Sequence, residues 1–367
     1  MIGDLIMKIF NFAPGPSMIP KPVMERIQSD FVNYNSKGIG LVELSHRSEA
    51  FLEIITKVEN NIRELMNISD DYSVCFIQGG ASLQFAMIPM NLMKKDGFAE
   101  YADTGYWSEK AILEAEKIGK VKKICSSKES LYNKIPNVRK WKTDKNSSYL
   151  HMTTNNTTFG TQFQSIPELD DGVPLIADMS TDIMTRKIDI NQFDMVYAST
   201  QKVLGPSGLA IVIIKKSLVD RAEGRNLPAM LDYQTYMYER SMHNTPPTFS
   251  IYMLQLVTDW LKDQGGMKAM DKINTLKSGV IYEYLDSSDF YSNFVEPCNR
   301  SRMNIVFKTS SEELDNLFIK ESEKIGLIGL SGHRAIHGLR ASIYNSMPLE
   351  GVEVLIDFMS EFEKKHG

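Results

Sequence analysis

Short apolar segments alternate with longer amphipathic segments between residues 73 and 215. Short apolar runs that end at Gly, Pro or Asp predict buried strands, and the amphipathic stretches between them predict crossover helices. The predicted strands are residues 74–77, 100–103, 121–125, 149–153, 174–178, 195–198 and 209–214. This alternation is typical of an α/β domain whose mostly parallel sheet is covered by helices.

Two helices in this region are clearly marked. One is predicted from Ser82, which is placed to cap or begin it, and the other opens at Ser108 and carries apolar residues at helical spacing. Each follows a predicted strand, so both fit the crossover positions of a parallel sheet.

The pattern changes after about Lys262, where helical stretches mix with a strand-like segment at 304–307 and a Gly-rich turn at 329–338. This mixture predicts a second, smaller α+β domain. We therefore assign residues 17–262 to a large domain, and residues 263–367 together with an N-terminal arm, residues 1–16, to a small one. Four prolines between residues 14 and 22 predict that the beginning of the chain is extended rather than helical.

Composition narrows the possible partners. The chain has 367 residues, with 41 Lys and Arg against 46 Asp and Glu, and this net charge of -5 provides no general attraction for nucleic acid. The longest strongly apolar run, residues 209–214, is far shorter than the ~20 residues of a membrane-spanning helix, so we expect no membrane partner. The cysteines Cys75, Cys125 and Cys298 are isolated, which favours a cytoplasmic location.

Several common cofactor and metal signatures are missing from the sequence. It contains no GxxxxGK[ST] segment, and Gly38 and Gly40 lack the third glycine and the preceding strand of a dinucleotide-binding motif. His333 and His337 have the spacing of a metal-binding pair on a helix, but glycines flank them and no third ligand is evident. We therefore expect no metal site.

Lys202 and Asp178 are the residues that indicate chemistry. Lys202 follows the predicted strand 195–198, and Asp178 ends the predicted strand 174–178. The carboxyl ends of parallel strands are where open α/β sheets bind ligands. A lysine and an aspartate in these places match pyridoxal phosphate enzymes, in which the lysine forms a Schiff base and the aspartate keeps the pyridine nitrogen protonated.

Two further features fit the same cofactor. Residues 79–82 (GGAS) end one strand and open a helix, which predicts an anion site for a cofactor phosphate. Trp107 follows the next strand, where its aromatic face is placed to stack on a cofactor ring. These elements together favour a pyridoxal phosphate site over the alternative in which Lys202 is a solvated side chain and Asp178 only begins a turn.

The order and spacing of short motifs resemble the phosphoserine aminotransferases, class V aminotransferases of the type I pyridoxal phosphate fold. The resemblance runs from residue 10 to the end of the chain. The motifs are residues 10–16 (FNFAPGP), 43–47 (ELSHR), 78–85 (QGGASLQF), 103–107 (DTGYW), 201–208 (QKVLGPSG), 244–249 (NTPPTF), 332–334 (GHR) and 339–348 (LRASIYNSMP). The last of these is highly specific to the family. The resemblance implies an aspartate-aminotransferase-like fold with a seven-stranded sheet in the large domain.

The resemblance also implies roles in binding pyridoxal 5'-phosphate. Lys202 and Asp178 would be the catalytic pair, Trp107 would stack on the ring, and Thr157 would hydrogen-bond near the phenolic oxygen. The cofactor phosphate would be bound by Ala81, Ser82 and Gln201, and by Asn244 and Thr245 of a neighbouring subunit. The active site would therefore belong to a homodimer.

Substrate recognition by such an enzyme needs two anion pockets. The resemblance implies that Arg340 holds the α-carboxylate, and that His46, Arg47, His333 and Arg334 form a distal pocket for phosphate or a second carboxylate. Some family members have Arg where this chain has Ser82, so one positive charge of the expected pocket is absent.

We expect the activity to be amino transfer between glutamate/2-oxoglutarate and 3-phosphohydroxypyruvate/O-phospho-L-serine in serine biosynthesis. The phosphorylated hydroxythreonine of vitamin B6 synthesis is a possible further substrate, because it has the same two anionic ends. Three alternatives remain open at this stage. Another class V aminotransferase of the alanine–glyoxylate type or a cysteine desulfurase would use the same lysine and aspartate, and a non-catalytic phosphometabolite-binding module is a different class.

Overall fold

The computed structural model describes residues 8–169, 172–222, 224–334 and 336–367. Within these residues the helices are α1 (Lys21–Val32), α2 (Glu49–Met66), α3 (Gly80–Leu92), α4 (Tyr106–Glu116), α5 (Thr200–Val203), α6 (Lys216–Val219), α7 (Tyr233–Tyr238), α8 (Thr248–Asp263), α9 (Gly266–Ser287), α10 (Glu312–Lys324) and α11 (Leu349–His366). The strands are β1 (Phe10–Asn11), β2 (Tyr72–Gln78), β3 (Phe98–Asp103), β4 (Lys120–Ser126), β5 (Leu150–Thr153), β6 (Asn155–Asn156), β7 (Thr161–Gln162), β8 (Leu175–Asp178), β9 (Met195–Ser199), β10 (Leu209–Lys215), β11 (Asn304–Phe307), β12 (Leu327–Ile328) and β13 (Leu339–Ser342).

A seven-stranded sheet with the order β2-β10-β9-β8-β5-β3-β4 forms the centre of the fold. The four pairings from β9 to β4 are parallel, whereas β10 runs antiparallel to both of its neighbours, β2 and β9. The prediction of a mostly parallel sheet covered by helices is therefore confirmed, and each of the seven predicted strands is part of it.

Helices cover both faces of this sheet, which explains why its central strands are hydrophobic without interruption. Successive side chains of a strand point to opposite faces, and in β10 Ile211 and Ile213 pack into one core cluster while Val212 and Ile214 pack into the other. The first cluster includes side chains of α2 and α8, and the second includes side chains of α3 and α4. The sheet is thus held between two helical layers.

A third core cluster lies among α9, α10, α11 and the two-stranded sheet of β11 and β13. Phe10 and Phe12 of the N-terminal arm are buried in this cluster, and β1 pairs in parallel with β12. These contacts are compatible with a small domain that includes the arm. The boundary at residue 262 remains a prediction.

Three local expectations differ from the structure. Helix α3 begins at Gly80 rather than at Ser82, because Gly79 has a φ of 92° and ends the strand before the helix. Helix α4 begins at Tyr106, two residues before Ser108, whose hydroxyl instead accepts hydrogen bonds from the Thr104 and Gly105 amides. Pro22 lies in the first turn of α1, where a proline is tolerated because no helical hydrogen bond needs its missing N–H.

In the part of the chain that the structure describes, no helix is both long and apolar enough to cross a membrane.

Candidate active site

A cavity opens at the carboxyl edge of the central sheet, between β9, β8 and β5 on one side and the first turn of α3 on the other. Its lining comes from six segments between residues 79 and 208 and from Gly15 of the N-terminal arm. The lining residues are Gly15, Gly79, Gly80, Ala81, Ser82, Phe85, Trp107, Thr153, Asn155, Thr157, Asp178, Ser180, Thr181, Ser199, Gln201, Lys202 and Gly208.

The parallel register places these residues side by side. Thr153 at the end of β5 is the partner of Asp178 at the end of β8, and Asp178 is the partner of Tyr197 in β9. The chain then leaves β9 at Ser199 and enters the single turn of α5, which holds Lys202 over the edge of the sheet. The polar residues at the carboxyl ends of three neighbouring strands therefore lie side by side at one edge of the sheet.

The side chain of Lys202 has an unusual environment for a lysine. Burial and the positive charge of Arg340 lower its pKa to about 8, against the smaller opposing effect of the Asp178 carboxylate. Its Nζ lies 5.5 Å from the centroid of the Trp107 ring, across the cavity. An amine with this pKa is a usable nucleophile and proton acceptor near neutral pH.

Asp178 lies on the floor of the cavity and is 4% exposed. Burial raises the pKa of its carboxyl, whereas a hydrogen bond of 2.9 Å from the Ser180 amide and the charge of Lys202 lower it. A ligand with a positively charged N–H at this position would offset the cost of burying the carboxylate.

The first turn of α3 forms an anion cradle. The Gly79 amide donates to the Gly208 carbonyl. Among the described residues no side chain caps α3, and the N–H groups in the first turn of a helix have no acceptor within that helix. A Cβ on Gly80 would lie 2.9 Å from the Ser199 hydroxyl oxygen. Glycine is therefore needed where the helix approaches the edge of β9.

Buried polar atoms on the cavity wall lack partners within the chain. In the described residues, the hydroxyl oxygens of Thr153 and Thr157 have no hydrogen bond, although both side chains are buried. Unsatisfied buried hydroxyls are rare in folded proteins. Those two hydroxyls, together with the anion cradle, indicate a site shaped for a polar, anionic ligand.

Arg340 reaches this site from strand β13. Arg340 is 6% exposed, its Nη1 donates to the Thr157 carbonyl at 3.4 Å, and its Nε is unpaired among the described residues. His333 lies nearby, with its ring 4.8 Å from that of Tyr106, the neighbour of Trp107. Burial and the charges of Arg340 and Arg334 lower the pKa of His333.

Comparison with known proteins identifies the family. The model of the aminotransferase class-V family matches residues 9–355. The chain belongs to the class-V aminotransferases. The family predicted from the sequence motifs is thereby confirmed.

Similar class-V aminotransferases cover almost the whole chain. The phosphoserine aminotransferase of Bacillus cereus is 49% identical over 97% of this chain and 98% of its own length, and that of Pseudomonas aeruginosa is 46% identical over 98% and 99%. The solved phosphoserine aminotransferase of Bacillus circulans subsp. alkalophilus is 44% identical, with a TM-score of 0.95 over 98% of this chain and 99% of that one. The PLP-bound enzyme of Trichomonas vaginalis is 31% identical, with a TM-score of 0.90 over 96% and 100%.

The structure places the residues that the family resemblance singled out in two groups. Ala81, Ser82, Trp107, Thr157, Asp178, Gln201 and Lys202 line the cavity, and Arg340 and His333 lie beside it. His46, Arg47, Arg334, Asn244 and Thr245 do not line it within the single chain, and all except the half-buried His46 are exposed. The roles of these residues remain predictions.

Several lining residues of this aminotransferase were not singled out from the sequence. Thr153, Asn155, Ser180, Thr181 and Ser199 all lie at or within a few residues of the carboxyl end of a predicted strand. That position was the available signal, because the parallel sheet brings every such strand end to one edge. Gly15 carried no comparable signal. It reaches the cavity because the Ser17 amide donates to the Gln201 carbonyl at 3.0 Å.

Proposed function

We propose that this enzyme is a pyridoxal-phosphate-dependent phosphoserine aminotransferase. It would transfer an amino group between glutamate/2-oxoglutarate and 3-phosphohydroxypyruvate/O-phospho-L-serine, in serine biosynthesis. The observation that carries the proposal is the meeting of Lys202 and Asp178 in one cavity, opposite an open helix N-terminus. The 49% identity to a phosphoserine aminotransferase along 97% of the chain supports the choice of substrate.

The residues of the cavity fit pyridoxal phosphate. Lys202 would hold the cofactor covalently, Asp178 would face its ring nitrogen, and Trp107 would cover the ring. The first turn of α3, with Ala81 and Ser82, would bind the phosphate together with Gln201, and the unpaired Thr157 hydroxyl would gain a hydrogen-bond partner. When bound, the cofactor supplies an electron sink that stabilises negative charge at the substrate Cα.

Lys202 is also the group best placed to move a proton. Its amine would take the proton from the substrate Cα, because a pKa of about 8 leaves roughly a tenth of the side chain unprotonated at pH 7, against far less for an ordinary lysine. Asp178 would hold a proton at the ring nitrogen throughout, since its buried carboxylate needs an opposite charge.

Arg340 is the proposed ligand of the substrate α-carboxylate. It is buried beside the cavity, its Nε is unpaired among the described residues, and a guanidinium can bind a carboxylate with two parallel hydrogen bonds. His333 and Arg334 would bind the distal anion, together with His46 and Arg47. The position of His46 and Arg47 outside the cavity of one chain supports their contribution from a neighbouring subunit.

A homodimer would complete this site. Asn244 and Thr245 are exposed and lie outside the cavity of their own chain, and we propose that they reach the cofactor phosphate of the partner. Met24, Phe31 and Val32 on α1 expose 49%, 46% and 74% of their surface, which supports a covered apolar face there. The enzyme would work in the cytoplasm, in keeping with its three free cysteines.

Amino transfer to 2-oxoglutarate tests the proposal. Purified protein reconstituted with pyridoxal phosphate is supplied with O-phospho-L-serine, L-serine or L-alanine, and glutamate formation is measured. We expect turnover with phosphoserine far above that with the other donors, and none with the Lys202→Ala variant. In a parallel assay, amino transfer from alanine to glyoxylate is measured. A rate equal to that of transfer from phosphoserine to 2-oxoglutarate would instead favour the alanine–glyoxylate type.

The distal pocket has a separate test. Replacing Arg47 with Ala should lower kcat/KM for phosphoserine by about tenfold or more, which is the effect of losing a hydrogen bond between charged groups. The matched control is Arg139→Ala, which removes an exposed arginine that has no proposed role. An Arg47→Ala protein that keeps the kinetics of the Arg139→Ala control would refute the assignment.

A further inference from the structure

A buried polar cluster lies under the floor of the active-site cavity, on the same face of the sheet as α3. Its members are Tyr101, Tyr149, His151 and Tyr197, and each of them is at most 1% exposed. The Tyr101 and Tyr149 hydroxyls are 2.8 Å apart, and the Tyr101 ring stacks on the His151 ring at a centroid distance of 4.8 Å. Ionisable groups are rarely buried this completely without a reason.

The cluster is connected to Asp178 through Tyr197. His151 Nε2 lies 2.9 Å from the Tyr197 hydroxyl. Tyr197 in β9 is in register with Asp178 in β8, so the two side chains extend to the same face of the sheet. Burial and then the negative charge of the Asp178 carboxylate raise the pKa of Tyr197, so its hydroxyl keeps its proton.

The direction of the hydrogen bond between His151 and Tyr197 follows from the protons available. Burial lowers the pKa of His151 to about 3, so the imidazole is neutral and carries a single N–H. Its Nδ1 has no partner among the described residues, and its Nε2 has only the Tyr197 hydroxyl. A proton on Nδ1 would be a buried donor without an acceptor, whereas a proton on Nε2 has one.

With the imidazole proton on Nε2, the Tyr197 hydroxyl accepts from His151, and its own proton is free for another acceptor. The charged carboxylate of Asp178 is the stronger acceptor available, since a hydrogen bond to an ionised group is roughly twice as strong as a neutral one. Donation from Tyr197 to Asp178 would then end this series of hydrogen bonds on the carboxylate proposed to face the cofactor ring.

We propose that His151 and Tyr197 are positioning residues that donate, in sequence, toward Asp178 and hold its carboxylate in the ionised form. This inference rests on the proposed function, because its purpose is to keep a proton on the cofactor ring nitrogen rather than on Asp178. A carboxylate that accepts a further hydrogen bond binds a proton less tightly, and the ring nitrogen therefore retains it.

The first test uses the protein without added cofactor, so it does not depend on the proposed activity. The chain is labelled with ¹⁵N-histidine, and the His151 signals are assigned by their loss in the His151→Gln variant. We expect the chemical shifts of a neutral ring with its proton on Nε2. A proton on Nδ1 would mean that Tyr197 donates to His151 instead of to Asp178, and it would overturn the proposal.

The second test reads the proton on the cofactor. Protein loaded with pyridoxal phosphate that carries a ¹⁵N ring nitrogen is compared with its Tyr197→Phe and Tyr101→Phe variants. The Tyr101→Phe variant is the matched control, because it removes an equally buried hydroxyl that bonds to Tyr149. We expect the ring-nitrogen shift of a protonated pyridine in the wild type and in the control, and a shift toward neutral pyridine in Tyr197→Phe.

The outcomes separate the two hypotheses. An unchanged ring-nitrogen shift in Tyr197→Phe would overturn the relay while leaving the aminotransferase assignment intact. A wild-type ring nitrogen that carries no proton would refute the role of Asp178 in the proposed function. Should the Tyr197→Phe protein not fold, the His151 tautomer in the wild type still decides whether the hydrogen bonds run toward Asp178.

Discussion

Lys277 in helix α9 is a fully buried lysine that the proposed reaction does not use. Its Nζ donates to the backbone carbonyls of Ile343 at 3.0 Å, Tyr344 at 2.8 Å and Met347 at 3.0 Å. These carbonyls belong to the segment that follows β13, the strand that carries Arg340. Replacing Lys277 with Met keeps the length of the side chain and removes every donor, so it tests how much this amine stabilises the fold.

Two opposing contributions determine the size of the effect. Each buried carbonyl that loses its donor costs about 1–3 kcal/mol, although the Tyr344 carbonyl keeps a bond of 3.0 Å from the Met347 amide. Against this, burial lowers the pKa of Lys277 to about 7, whereas a lysine in the unfolded chain keeps its ordinary value. At neutral pH this shift destabilises the folded wild type, because on folding Lys277 must either lose its proton or bury a charged amine.

The sign of the pH dependence follows from proton binding. Between pH 7 and about 10.4 the unfolded chain binds more protons at Lys277 than the folded chain does, so the stability of the wild type rises with pH in this window. The Met variant lacks this contribution. We expect the free energy of unfolding of Lys277→Met to fall behind that of the wild type by about 2 kcal/mol more at pH 9 than at pH 7.

Urea-induced unfolding followed by tryptophan fluorescence, at pH 7 and at pH 9, measures this difference. The matched control is Lys272→Met, which removes an exposed lysine from the same helix and should show the same difference from the wild type at both pH values. A gap between Lys277→Met and the wild type that stays constant or narrows at pH 9 would refute the reasoning, because it would show that the buried amine keeps its proton throughout.

Three further predictions concern Lys202, the close approach of Gly105 to Asn156, and the third core cluster. The rate at which the apoprotein attaches pyridoxal phosphate covalently should rise about tenfold from pH 7 to pH 9, because the unprotonated fraction of Lys202 rises through a pKa of about 8; a rate that is flat with pH in stopped-flow absorbance would contradict this. Gly105→Ala should lower the free energy of unfolding by about 1–3 kcal/mol, because its Cβ would lie 2.5 Å from the Asn156 Oδ1; an unchanged urea midpoint would show that Asn156 moves aside freely. Phe318→Ala should lower the free energy of unfolding by about 3–5 kcal/mol, since this ring is fully buried and packs 4.8 Å from the Phe358 ring. A loss below about 1 kcal/mol in urea unfolding would mean that the third core cluster collapses into the space left by the ring.

Much of the central sheet could be predicted from the chain alone. The buried strands of the sheet were recognisable because a strand covered on both faces must be apolar along most of its length, and this requirement leaves a local pattern, whereas the edge strand β4 is largely exposed. The first turn of α3 was misplaced by two residues, because the left-handed conformation of Gly79 that starts it depends on the backbone rather than on the hydrophobic pattern. Lys202 and Asp178 were found because each lies at the carboxyl end of a recognisable strand.

The sequence by itself determined which segments are buried and which chemistry they can carry, since hydrophobic periodicity and residue type are local properties. Only the tertiary structure decided that β10 runs antiparallel between β2 and β9, because strand order depends on contacts between distant segments. It also decided that Arg340, far along the chain in strand β13, lies close enough for its charge to lower the pKa of Lys202. An electrostatic effect of this kind acts through space, and the linear sequence contains no measure of that distance.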